Sequence, residues 1–69
     1  MVKMGPTNEQ KQFMMRYFFG NDVYPADKID RQENPAIIKK CIDDNYLYED
    51  GNKDYRLYRL TENGKHYLK

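Results

Sequence analysis

Serine is absent from these 69 residues, and histidine and cysteine occur once each. A serine triad is therefore excluded, and a cysteine–histidine pair would rest on the lone Cys41 and His66. One thiol permits no internal disulfide, and Cys41 with His66 cannot complete a structural metal site. Gly5, Gly20, Gly51 and Gly64 stand apart from one another, so no glycine-rich loop is available to cradle a phosphate. The adjacent carboxylates Asp43/Asp44 and Glu49/Asp50 point in different directions on a helix or strand, and spacing alone makes neither an acid–base dyad. No run approaches the roughly 20 apolar residues of a membrane span, and Met1 to Pro6 holds no apolar signal core. These absences predict a binding protein rather than an enzyme, with no cofactor, no metal, no small-molecule substrate and no membrane association. A single thiol suits the reducing cytoplasm.

Aromatic residues are plentiful. Seven tyrosines and three phenylalanines supply large contact areas, and the tyrosines keep a polar tip that tolerates partial exposure. A chain this short buries only about 60% of its unfolded surface, so the core is small and packing must suffice without staples. Residues 1–6 read as a leader and residues 7–69 as one domain. Thr7 followed by Gln10 fits a capping box, and the helix it opens runs to about Phe19, where Gly20 can take the left-handed conformation that ends helices. Pro25 is expected at the first position of a short second helix. Asn34 is expected to cap a third helix with Pro35 in its first position, burying a stripe of Ile38, Cys41 and Ile42 flanked by Ile37. Asn45 tolerates a left-handed backbone and can end that helix.

From Tyr46 the hydrophobic period changes to two. Tyr46, Leu47 and Tyr48 precede Asp50-Gly51, and Tyr55, Leu57 and Tyr58 follow it, which is a hairpin pattern with a projecting tip. A third strand is expected near Val23. Thr61 can cap a last helix of about two turns that turns Tyr67 and Leu68 inward.

The order of helix, hairpin and capped helix start resembles winged helix-turn-helix regulators of the broad MarR and PadR type, over about Thr7 to Leu68. The resemblance is carried by Cys41, Asn45, Tyr46 and Leu47 at the helix-to-strand turn, and by Tyr58, Leu60, Thr61 and Gly64 after the wing. It implies a mainly helical α+β domain, with a three-helix core, a β-hairpin wing and a short terminal helix, that binds double-stranded DNA in transcription regulation. No ligand-sensing segment is evident, so the closest likeness is to minimal regulators of phages, plasmids and small operons.

In that arrangement the third helix enters the major groove and the wing touches an adjacent groove or phosphates. With Ile38, Cys41 and Ile42 inward, the helical wheel turns Ala36, Lys39, Lys40 and Asp43 outward. The expected DNA-contacting set is Arg31, Gln32, Asn34, Ala36, Lys39, Lys40, Lys53 and Arg56, and Lys39, Lys40, Arg56 and Arg59 are candidates to converge. Charge complicates this expectation. Between Asp27 and Asp54 there are five basic and eight acidic residues, 5 − 8 = −3, whereas the rest of the chain carries seven basic and three acidic, 7 − 3 = +4. Affinity for DNA comes mainly from neutralised phosphates, so a binder should concentrate positive charge where it docks.

The first helix also carries more apolar surface than one core face requires. Phe13, Met14, Met15, Tyr17, Phe18 and Phe19 spread over roughly 240° at about 100° per residue, beyond the stripe of little more than 100° that a core needs. Phe13, Met14, Tyr17 and Phe18 are expected to face the core. Met15 and Phe19 then form an i, i+4 pair open to a homodimer or a protein partner. The alternative function is accordingly a protein-interaction module that uses this helix or the acidic wing.

Overall fold

The computed structural model describes residues 5–68. Residues 1–4 of the expected leader, and Lys69, lie outside the described residues. The chain folds as an α+β domain in the order α1 (Asn8–Phe18), β1 (Val23–Pro25), α2 (Ala26–Gln32), α3 (Pro35–Asp43), β2 (Leu47–Gly51), β3 (Arg56–Leu60) and α4 (Glu62–Tyr67). The strands form one antiparallel sheet in the order β1-β3-β2.

Local chemistry sets most of the boundaries. The Thr7 hydroxyl accepts from the Gln10 amide at 3.2 Å, and the Gln10 side chain accepts from the Thr7 amide at 2.8 Å, so two orphan donors of α1 are satisfied reciprocally. Phe19 ends the helix, and Gly20 follows with φ +84°. Asn34 caps α3 by accepting from the Ala36 amide at 2.9 Å, with Pro35 next to it where no amide is missed. Asn45 takes φ 66° and turns the chain out of α3, after which the Tyr46 amide bonds the Cys41 carbonyl at 2.8 Å. The Thr61 hydroxyl both caps α4, through the Gly64 amide at 3.0 Å, and donates to the Asn45 carbonyl at 2.7 Å. Gly64 is needed for a steric reason: a Cβ there would stand 2.4 Å from the Tyr46 carbonyl oxygen. The glycine at the end of the Leu60–Gly64 motif thus lets α4 close against the turn that follows α3.

Two boundaries differ from expectation. Pro25 does not open α2; it ends β1, opposite Leu57, and α2 begins at Ala26. Proline lacks an amide to donate, which suits the short outer strand of a sheet as well as the first turn of a helix. Ile42 is not part of the buried stripe and remains 36% exposed. Because α1 packs against α3, the buried face of α3 is rotated toward Ile37, Ile38 and Cys41, which leaves Ile42 at its margin.

The sheet register sorts side chains by face. Tyr24 lies opposite Tyr58, and Leu47 opposite Leu60, so these four share the face turned to the helices. They join Phe13, Met14, Tyr17 and Phe18 of α1, Ala26 and Ile29 of α2, and Ile38 and Cys41 of α3 in one core. Each large apolar side chain in it contributes on the order of 1.5–3 kcal/mol of burial. Edge-to-face contacts, Tyr17 to Tyr24 at 5.0 Å and Phe18 to Tyr24 at 6.5 Å, knit α1 to β1. Beyond Leu47 every residue of β2 is exposed, whereas β3 lies in the middle of the sheet with Tyr58 and Leu60 buried. No helix among the described residues is long and apolar enough to cross a membrane.

Candidate nucleic-acid interface

The α2–α3 unit and the hairpin share the apolar core, and at the exposed end of the sheet they are joined by charge as well. From β3, Arg56 reaches across the sheet end with one guanidinium nitrogen 3.1 Å from Asp30 and 3.5 Å from Asp27, both on α2, and the other 2.9 Å from Glu49 on β2. Tyr58 donates to the second oxygen of Asp30 at 2.9 Å, and the Arg56 guanidinium lies 6.0 Å from the Tyr58 ring centre. Hydrogen bonds to Glu49 and Asp30 hold Arg56 even more firmly protonated than usual. Burial, reinforced by the bond to Asp30, pushes the Tyr58 hydroxyl up to about 12.

A second cluster, again of arginine, tyrosine and carboxylate, lies at the other end of α2. Glu33, which caps that end, accepts from Tyr17 at 2.6 Å and pairs with Arg16, both on α1. Burial by itself would raise the Glu33 carboxyl; the bonds from Tyr17 and Arg16 outweigh it and hold the group below its ordinary value. Tyr17 is raised, by burial first and by its bond to Glu33 second.

The expected contact residues fall into three groups. Ala36, Lys39 and Lys40 are exposed on the outward face of α3 together with Asp43, and Lys39 donates to Asp43 at 2.9 Å. Arg31 and Gln32 are exposed on the last turn of α2, Asn34 is occupied as a cap, and Lys53 is exposed in the β2–β3 loop. Arg56 is engaged as just described. Of the four cations expected to converge, three are held by carboxylates: Lys39 bonds Asp43, Arg56 bonds Asp30 and Glu49, and Arg59 bonds Asp50 at 2.9 Å. The Gly51 amide and Arg59 together hold the Asp50 carboxyl below its ordinary value. The partner-surface pair, Met15 and Phe19, is exposed by 43% and 70%.

Pairing rewrites the charge of the 27–54 segment. Arg16, Arg56 and Arg59 lie outside it in sequence yet bond Glu33, Asp27, Asp30, Glu49 and Asp50 within it. Adding these three cations to the five of the segment against its eight acids gives 8 − 8 = 0. Lys28, Arg31, Lys40 and Lys53 enter no ion pair with another described residue. Lys28 was not singled out by sequence, where it reads as one more solvated charge beside Asp27 and Asp30. The carboxylate partners of Arg56 were equally hidden, because Asp30 and Arg56 stand 26 residues apart.

Between α1 and α3 runs an open groove of about 340 Å³, with Phe13 and Ile37 in it and Arg16, Glu33 and Lys40 among its polar lining. Among the described residues no group of three or more histidine, cysteine, aspartate or glutamate side chains is placed to hold a metal. Cys41 is buried, and burial together with the charge of Asp44 raises its thiol to about 12. No family model, curated protein or solved structure matches this chain.

Proposed function

We propose that this chain is a winged-helix domain that binds duplex DNA, as a small cytoplasmic transcriptional regulator, through α2, the outward face of α3 and the β2–β3 hairpin. The element order and the β1-β3-β2 sheet, with an exposed β2 on its edge, support the winged-helix reading. The functional reading is carried by one observation. Arg16, Arg56 and Arg59 bring the 27–54 segment to neutrality, and within that neutral surface the acids are mostly drawn into ion pairs, whereas Lys28, Arg31, Lys40 and Lys53 enter none with a described residue. Against them stands Asp54 on the wing, which enters no ion pair with a described residue either. A non-catalytic role is supported by the buried, hard-to-ionise Cys41.

The test is a fluorescence-anisotropy titration with random-sequence duplex at 50 and 200 mM salt. Four phosphate-contacting cations give a log–log salt slope near −0.9 × 4, or about −3.6, so affinity should fall about 10²-fold between the two conditions. Lys40→Ala should weaken binding to all sequences alike and reduce that slope by about one. Failure of the α3 amides to shift on addition of duplex at low salt would overturn the proposal.

A second reading has its own observation in Phe19 and Met15, large apolar groups on the solvent side of α1. It makes the domain a protein-interaction module or a homodimer. Its sedimentation coefficient should then rise with concentration, and Phe19→Ser should abolish the rise.

A further inference from the structure

The wing carries two cations in opposite circumstances. Lys53 sits at the exposed tip and pairs with no described residue. Arg56, at the first position of β3, has one terminal nitrogen beside Asp27 and Asp30 and the other on Glu49. Those acids belong to α2 and β2, so one guanidinium joins three elements across the junction between helix and hairpin. Its rigid fork can serve two carboxylates at once, which an ammonium cannot do with the same geometry. Tyr58 holds the far oxygen of Asp30, so this carboxylate is fixed from both sides.

We infer that Arg56 is a positioning residue of the DNA interface, setting the wing against α2 and offsetting part of the carboxylate charge there, while phosphate contact on the wing falls to Lys53. The sequence alone points the other way, since an arginine on a wing is the expected groove or phosphate contact. The structure assigns it a different use because both terminal nitrogens already bond carboxylates. Leaving them for DNA would expose Asp27, Asp30 and Glu49 at the docking surface, where they would repel the backbone being bound.

The inference rests on the DNA reading for its electrostatic half and on protein geometry alone for its positioning half, so two measurements are needed. Hydrogen exchange in the free protein reads the positioning. Arg56→Gln should speed exchange of the β2–β3 amides by about tenfold, leave the α1 amides unchanged, and be partly rescued by Arg56→Lys. Duplex titration over a range of salt reads the electrostatics. Arg56→Gln should weaken binding several-fold with an unchanged salt slope, and the triple variant Asp30→Asn/Glu49→Gln/Arg56→Gln should regain the affinity of the natural sequence.

A slope reduced by about 0.9, with no recovery in the triple variant, would make Arg56 an ordinary phosphate contact and overturn the inference. Unchanged wing exchange in Arg56→Gln would overturn it as well. If the natural sequence binds no duplex, the DNA reading fails, and the exchange experiment still decides whether Arg56 positions the wing.

Discussion

Helix α2 is clasped at two places, each by an arginine, a carboxylate and a tyrosine. Arg16, Glu33 and Tyr17 tie its C-terminal end to α1; Arg56, Asp30 and Tyr58 tie its side to β3. The chemistry is alike and the setting is not. The Glu33 side chain is 12% exposed, whereas that of Asp30 is 37% exposed. A carboxylate withdrawn from water is costly to leave without its partners, while an exposed one is rehydrated when its partner goes and is screened by salt while it stays. One clasp therefore belongs to the stability of the domain. The other, on the role inferred for Arg56, contributes little to stability and instead sets where the hairpin lies and what charge it shows.

Removing one carboxylate from each clasp should separate these roles. Glu33→Ala strips Tyr17 and Arg16 of a shared acceptor and should cost about 2 kcal/mol, read as a lower urea midpoint with an unchanged m-value. Tyr17→Phe, which keeps the ring and removes only the donor, should cost about 1 kcal/mol. Asp30→Asn should change stability by no more than about 0.5 kcal/mol. If Asp30→Asn costs as much as Glu33→Ala, exposure does not distinguish the clasps and the comparison fails.

Acid should sharpen the same contrast. Glu33 is held below its ordinary value near 4.5, so the folded protein binds that proton more weakly than the unfolded chain does. The stability it contributes is complete above pH 4.5 and is lost as pH falls through the lower folded value. Urea midpoints measured from pH 6 downward should therefore drop less steeply below pH 4.5 in Glu33→Gln than in the natural sequence. Asp50, also held low in the fold, should leave a residual slope in both.

Features built from neighbours in sequence were legible before the structure. The Thr7–Gln10 capping box, the Asn34–Pro35 start of α3, the left-handed Asn45 and the Thr61 cap each depend on a few adjacent residues, and each is found where expected. So is the division of α1 into a buried Phe13, Met14, Tyr17 and Phe18 face and an outward Met15 and Phe19. Pro25 was misplaced because proline suits both a first helical turn and an outer strand, and pairing with β3 made the choice. Ile42 was misplaced because periodicity gives the spacing of a stripe, not the direction of its neighbour; α1 drew the buried face toward Ile37.

The charged surface was the least legible part. Counted along the chain, residues 27–54 are acidic by three, and that count argued against a nucleic-acid partner. Counted in space, three arginines from outside the segment cancel it. Caps, turns and hydrophobic periods act over one to four residues, so the order of amino acids suffices to specify them. The ion pairs that bring arginines to this segment join groups 7 to 29 residues apart along the chain, from Glu49–Arg56 to Asp27–Arg56. Which charges meet, and which are left to face a partner, was settled when α2 packed between α1 and the hairpin.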